Sequence, residues 1–379
     1  MNSRRDFLRA SAVAASVVAL PRLIGAAGPK VSVPAAGPGG LIDLHSHWFS
    51  PASVDILSRR STAPRFRLND KGEKVIERPG AEPGAVPFPL GSQWFDIEAR
   101  VRHLDEQGVA HQLISWPTTL GVDPVLTAAE ARELWGAYND ELSGVVQKHP
   151  ARFSGVATLA TADIEWSVRE LARAHDRLGL IGGVLPVNVF ATLEGAKRFA
   201  PVFEVAQKYR SHLYLHTGYG NPAIPGQPPL NRHAEAAGPR NSLDNIWNFA
   251  AATITLAYTG FLEAYPDVTV QIAQLGGSGG IALVEELART ASRSGPATPG
   301  KFRQIYLDTG AGGRGPEAIA LAARVFGAER IVFGTDYAPA ASVAPVIANL
   351  NASPLSETER RAIFSDNARQ LLIARGVFR

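Results

Sequence analysis

No cysteine occurs anywhere in the chain, which excludes disulfides, thiolate nucleophiles and cysteine-ligated zinc together. Any metal must therefore sit on histidine, aspartate or glutamate. Charge is sparse as well, at 19% of 379 residues, with no internal run of one sign. No stretch reaches the length of a membrane-spanning helix. The pI of about 9.2 is misleading. Arg4, Arg5, Arg9, Arg22 and Lys30 against Asp6 place more net positive charge in the first thirty residues than the +3 of the whole chain, so the remainder is close to neutral. A near-neutral body gives no electrostatic reason to bind nucleic acid or an anionic membrane. What is present is a 45% apolar fraction, enough for a sizeable core.

The beginning of the chain has its own grammar. "NSRRDFLRAS" sets Arg4 beside Arg5, "ASAVAASVVAL" is apolar but short, and small residues follow at Ala26 and Ala27. This order of zones reads as a twin-arginine export signal rather than a short tail helix. The expected organisation is an export signal and flexible leader over 1–36 and one catalytic domain over 37–379. The expected partner is the twin-arginine export machinery, and the expected location is periplasmic or otherwise exported. Such transport follows folding, so a metal would be inserted before export.

The body alternates two periodicities. Apolar, β-rich runs occur at 41–45, 109–116, 153–160, 181–187, 212–218, 268–277, 305–310 and 330–336. Between them lie stretches of helical period, among them "DIEARVRHLDEQG", "AAEARELWGAYNDELSGVVQKH" and "SVRELARAHDRLG". Eight strand-plus-helix units predict an α/β fold, the (β/α)8 TIM barrel. A doubly wound open sheet is the alternative, weakened because no GxGxxG follows the first strand. Long insertions at 49–95, after strand 1, and 219–241, after strand 5, leave the rim where such a barrel builds its active site, and they are candidate lids.

"LIDLHSH" places His45 and His47 two residues apart on a strand, so both side chains share a face, as does Asp43. His216 ends the fifth run in "YLHTG", and Asp336 ends the eighth in "FGTD". Barrel closure would bring His45, His47, His216 and Asp336 to one mouth, three nitrogens and a carboxylate oxygen suited to a single divalent ion. Zinc is the first expectation, with manganese and iron(II) equally compatible with that donor set.

These motifs, together with "ARVRHLDEQGVAHQLIS", "YNDELSGVVQKHPARFSGVATL", "PDVTVQIAQLGG", "IVFGTDY" and "FSDNARQLL", give a chain that resembles the amidohydrolase superfamily over residues 41 to 375. The branch it is most similar to is typified by aminocarboxymuconate-semialdehyde decarboxylase. The resemblance implies that the four residues bind one metal. "GGVLPVN" on the fourth strand has no lysine to bridge a second ion. In this branch the sixth strand ends in histidine, where this sequence has Gln274. Glutamine orients through its amide but carries no proton, so Asp336 becomes the acid/base candidate and Gln274 a substrate-orienting one. The family often forms homodimers.

The implied activity is metal-dependent decarboxylation of a small carboxylated unsaturated or aromatic acid. The alternative is a hydrolase or hydratase of a lactone, amide, ester or dienoic acid at the same site. A catalytically silent exported binding module is a third reading, favoured only by the loss of the sixth-strand histidine. Trp48 and Trp116 are candidates for an aromatic wall or for core filling. Arg232, with His233, is a candidate carboxylate grip or a solvated loop charge. "GGSGG" over 276–280 is an anion-binding turn or simply a tight strand-to-helix turn. The other histidines, at 103, 111, 149, 175 and 212, read as structural.

Overall fold

Each of the eight runs contains a strand, and every neighbouring pair is parallel. The strands are β1 (Leu41–His47), β2 (Val109–Ser115), β3 (Phe153–Gly155, continued by Ala157–Thr158), β4 (Gly182–Pro186), β5 (His212–His216), β6 (Thr269–Ile272), β7 (Ile305–Asp308) and β8 (Ile331–Val332). The structure, a computed structural model, describes residues 40–79, 87, 89–229, 235–289, 302–310 and 315–378. The export-signal expectation and the side chains of Arg232 and His233 lie outside the described residues.

Ladders join β1 through β8 in chain order. The halves of β3 are bridged at Val156, whose N–H donates to Ile114 O at 3.2 Å. The cylinder closes between its last and first strands: Leu44 N donates to Phe333 O at 2.9 Å, and Asp336 N to His45 O at 2.8 Å. A parallel bridge pairs Ser46 with Tyr337. This is a TIM barrel, and closure leaves no central edge unpaired. Where β4 passes β5 the fit requires glycine, because a Cβ on Gly182 would lie 1.8 Å from the His212 carbonyl oxygen.

Local chemistry starts the outer helices at or near the predicted stretches, the one expected from Ser167 beginning already at Ile164. Asp96 caps helix Ile97–Glu106 by accepting from Ala99 N, and Asp163 caps Ile164–Arg173 by accepting from Trp166 N. Thr127 and Glu130 form a reciprocal capping box at the start of Ala128–Lys148.

The insertion after β1 holds structure of its own: helix Pro51–Ser58, capped by Ser50, and an antiparallel hairpin pairing Arg65–Leu68 with Lys74–Glu77. Its aromatic side chains fill the space beneath, with Phe49 stacked on Trp94 at 4.6 Å and against Trp116 at 5.2 Å. The insertion after β5 is shorter than 219–241, because helix Ala237–Tyr258 begins inside that range. Among the described residues no helix is long and apolar enough to cross a membrane.

Two strands, β6 and β8, stop well short of their apolar runs, at Ile272 and Val332. Gln274, Leu275, Gly276, Gly277 and Ser278 all have φ between 53° and 65°, a left-handed turn that no strand can continue. Non-glycine residues in that conformation cost on the order of 1 kcal/mol each. Close packing supports the turn, since Gly277 lies against the Phe249 ring and Gly279 against the Ile246 backbone with no room for a Cβ. The "GGSGG" segment is thus the tight strand-to-helix turn. At β8 the ladder ends at Val332, and the following residues bond across to β1 instead.

Candidate metal centre

His45, His47, His216 and Asp336 meet at the C-terminal mouth of the barrel. One donor atom from each lies within 4.8 Å of all the others. His45 Nε2 is 3.2 Å from His47 Nε2, and Asp336 Oδ1 is 3.3 Å from the first and 3.0 Å from the second. The His216 ring centre sits 5.0 Å from that of His45 and 4.6 Å from that of His47. The strand period of two gives the first pair a common face. Asp336 reaches the group through a left-handed backbone, φ 56°, in the segment that follows β8.

Three imidazoles and a carboxylate are a donor set for a divalent cation, and two observations show that these residues fit one. His216 Nε2 is buried with no hydrogen-bond partner, a costly arrangement that a cation bound to its lone pair would relieve. Each imidazole is also held through its other nitrogen. His45 Nδ1 lies 2.9 Å from Asp308 Oδ1, His47 Nδ1 lies 3.3 Å from Ser115 Oγ, and His216 Nδ1 lies 3.1 Å from Thr118 Oγ1. Orientation of this kind fixes the tautomer and aims Nε2 at the centre.

The electrostatics agree. Burial acts to lower the His45 pKa, but the carboxylates of Asp308 and Asp336 outweigh it and raise it to about 10. His216 is held well below its ordinary value by burial and by the neighbouring His47 and His45. Burial likewise lowers His47. Burial would raise the Asp336 carboxyl, yet the charge and hydrogen bonds of His45 and His47 hold it well below the usual carboxylate range. The carboxylates of Asp308 and Asp336 therefore favour positive charge beside His45, while burial keeps His47 and His216 neutral with lone pairs to offer.

Asp308 is a participant that the strand pattern did not single out. Its Oδ1 accepts from Gln274 N at 3.0 Å and Gly310 N at 2.9 Å as well as from His45, and its Oδ2 accepts from Gln271 Nε2 at 2.7 Å. The available signal was "IYLDTG", an acid at the end of the seventh run in the same place as Asp336 in the eighth. Asp43, on the ligand face of β1, is outside the cluster: it clamps β1 to β2 and β8 through Gln112 Nε2 at 2.7 Å and Thr335 Oγ1 at 2.6 Å.

Gln274 lies beside the centre, its Nε2 3.4 Å from Asp336 Oδ2. Trp48 is buried, donates from its indole to Phe95 O at 3.1 Å and packs 6.0 Å from the Tyr138 ring. Trp116 is buried between Trp135 and Tyr138. Both occupy the core. The structural histidines have partners outside the four-residue cluster, such as Ser154 for His111, Ser211 for His175 and Gln271 for His212.

Fold and site together define a barrel with, among the described residues, one cluster of nitrogen and carboxylate donors at its mouth. The chain belongs to the amidohydrolase family, whose model matches residues 42–372. It is 26% identical over 319 residues to the gamma-resorcylate decarboxylase of Polaromonas sp. (strain JS666 / ATCC BAA-500), covering 79% of this chain and 94% of that one. Two solved structures share the fold. The 2,6-dihydroxybenzoate decarboxylase from Rhizobium matches with a TM-score of 0.66 at 19% identity, covering 88% of this chain and 98% of that one. The dihydroxybenzoic acid decarboxylase from Polaromonas sp. JS666, with bound manganese and the inhibitor 2-nitroresorcinol, matches with a TM-score of 0.63 at 22% identity, covering 88% and 97%.

Proposed function

We propose that this protein is a mononuclear metal-dependent decarboxylase of a small carboxylated aromatic or unsaturated acid. The observation that carries the reading is the convergence of His45, His47, His216 and Asp336 around an orphaned, buried His216 Nε2. A divalent cation held there would supply Lewis-acid stabilisation of negative charge developing on the substrate. Zinc, manganese and iron(II) all accept this donor set, and the manganese in the Polaromonas structure supports manganese beside zinc.

The remaining chemistry belongs to side chains of the chain. Asp336, ionised in the resting site, takes up a proton from solvent and relays it to carbon, where it replaces the carboxyl group as the carbon–carbon bond breaks and carbon dioxide leaves. Gln274, 3.4 Å from its Oδ2, holds that carboxyl in line and transfers no proton itself. Arg232 is the proposed grip on the substrate carboxylate, bidentate by its guanidinium geometry. The test is a panel of hydroxylated benzoic acids and dienoic acids with the metal-replete protein. Carbon dioxide release is expected; consumption of a panel acid without gas would favour the hydrolase or hydratase reading instead.

We also propose that residues 1–36 direct twin-arginine export. Replacing Arg4 and Arg5 by lysine should trap the protein in the cytoplasm, and an unchanged periplasmic yield counts against it. A homodimer is supported by helix Ala237–Tyr258, which exposes Leu243 (63%) and Trp247 (69%) on one side. Sedimentation velocity reads that state directly.

A further inference from the structure

The Thr118 hydroxyl has one proton and two close neighbours. Its Oγ1 lies 2.7 Å from the carbonyl oxygen of Thr217 and 3.1 Å from Nδ1 of His216. A carbonyl has no hydrogen to give, so the hydroxyl proton is committed to Thr217. The contact with His216 is then made with the imidazole donating. His216 is held as its Nδ1–H tautomer, and its buried, partnerless Nε2 turns a lone pair towards the other three donors.

The approach of Thr118 is built into the backbone. Thr118 opens the short turn Thr118–Leu120 that follows β2. This turn presses on the chain just beyond His216, where a Cβ on Gly218 would lie 2.7 Å from the Thr118 carbonyl oxygen. His45 is oriented by a carboxylate and His47 by Ser115, each partner lying on a barrel strand. The orienting group of His216 comes from a loop.

We propose that Thr118 is a positioning residue that selects the ligand tautomer of His216. The inference rests on the reading of this cluster as a metal centre. Removing the hydroxyl leaves Nδ1 without an acceptor and frees the ring to adopt the other tautomer, whose Nε2–H would face the cation site. Positioning partners of metal-binding histidines are typically worth about 10- to 100-fold in metal affinity.

The test uses the full chain loaded with zinc and titrated with a competing chelator, comparing wild type, Thr118→Val and Thr118→Ser. A second readout follows the side-chain nitrogen resonances of His216 in histidine-15N-labelled protein, assigned by their loss in His216→Gln. The valine variant should lose about tenfold or more in zinc affinity and show a mixture of His216 tautomers after chelation. The serine variant, which keeps the hydroxyl, should stay within about twofold of wild type and retain Nδ1–H. Unchanged affinity and an unchanged tautomer in Thr118→Val would overturn the inference, as would a serine variant that loses as much as the valine one. A wild-type protein that takes up no zinc, manganese or iron(II) overturns the metal reading itself.

Discussion

Asp308→Asn separates a carboxylate from an amide of the same shape at the base of the centre. Four donors converge on Asp308: His45 Nδ1 at 2.9 Å, Gln274 N at 3.0 Å, Gly310 N at 2.9 Å and Gln271 Nε2 at 2.7 Å. A carboxylate accepts from all four. An asparagine keeps one oxygen, and if that oxygen serves the three donors at Oδ1, its amide nitrogen confronts the Gln271 amide with two donors face to face. One buried donor is left unsatisfied, at about 1–3 kcal/mol. His45 also loses the negative partner that raises its basicity, for which about 10- to 100-fold in metal affinity is the usual consequence. Denaturant unfolding of the metal-stripped variant should show the first loss, and chelator competition the second. A variant that unfolds at the wild-type denaturant concentration and binds zinc within about twofold of wild type would refute the assignment of Asp308 as the group that orients His45.

Two further outcomes follow from the same geometry. His216→Ala removes one of four donors, so bound metal measured by elemental analysis and turnover should fall together; full retention of both removes His216 from the centre. Asp123, pushed up to about 6 by burial despite hydrogen bonds from Thr161 and Trp135, holds its proton in the folded state to higher pH than in the unfolded chain. Its contribution to stability is therefore complete below about pH 4 and is lost as pH rises through about 6, at most about 3 kcal/mol. Asp123→Asn should flatten this slope, so the stability difference between variant and wild type should grow in the variant's favour from pH 4 to 6; parallel curves would contradict it.

The parts of this protein that were legible in the sequence are those governed by short-range periodicity. A strand places every second side chain on one face, so "HSH" announced two converging imidazoles before any partner was known. Alternating strand and helix periods announced eight units, whereas the caps Asp96, Thr127 and Asp163, each bonding within its own first turn, emerged only with the structure. Strand ends were less legible. The apolar run through Leu275 looks continuous, yet packing against Phe249 and Ile246 drives it into a left-handed turn.

Residue type and local spacing by themselves determined the metal-binding chemistry: no thiolates, three imidazoles and one carboxylate at strand ends. Only the tertiary structure decided how those imidazoles are held, that Asp43 clamps strands while Asp308 orients His45, and that Trp48 belongs to the core. His45 and Asp308 are 263 positions apart, and no local pattern relates them. Their hydrogen bond exists because the closing cylinder brings the ends of β1 and β7 across the same mouth, where a buried ring nitrogen without an acceptor would be too costly to leave alone.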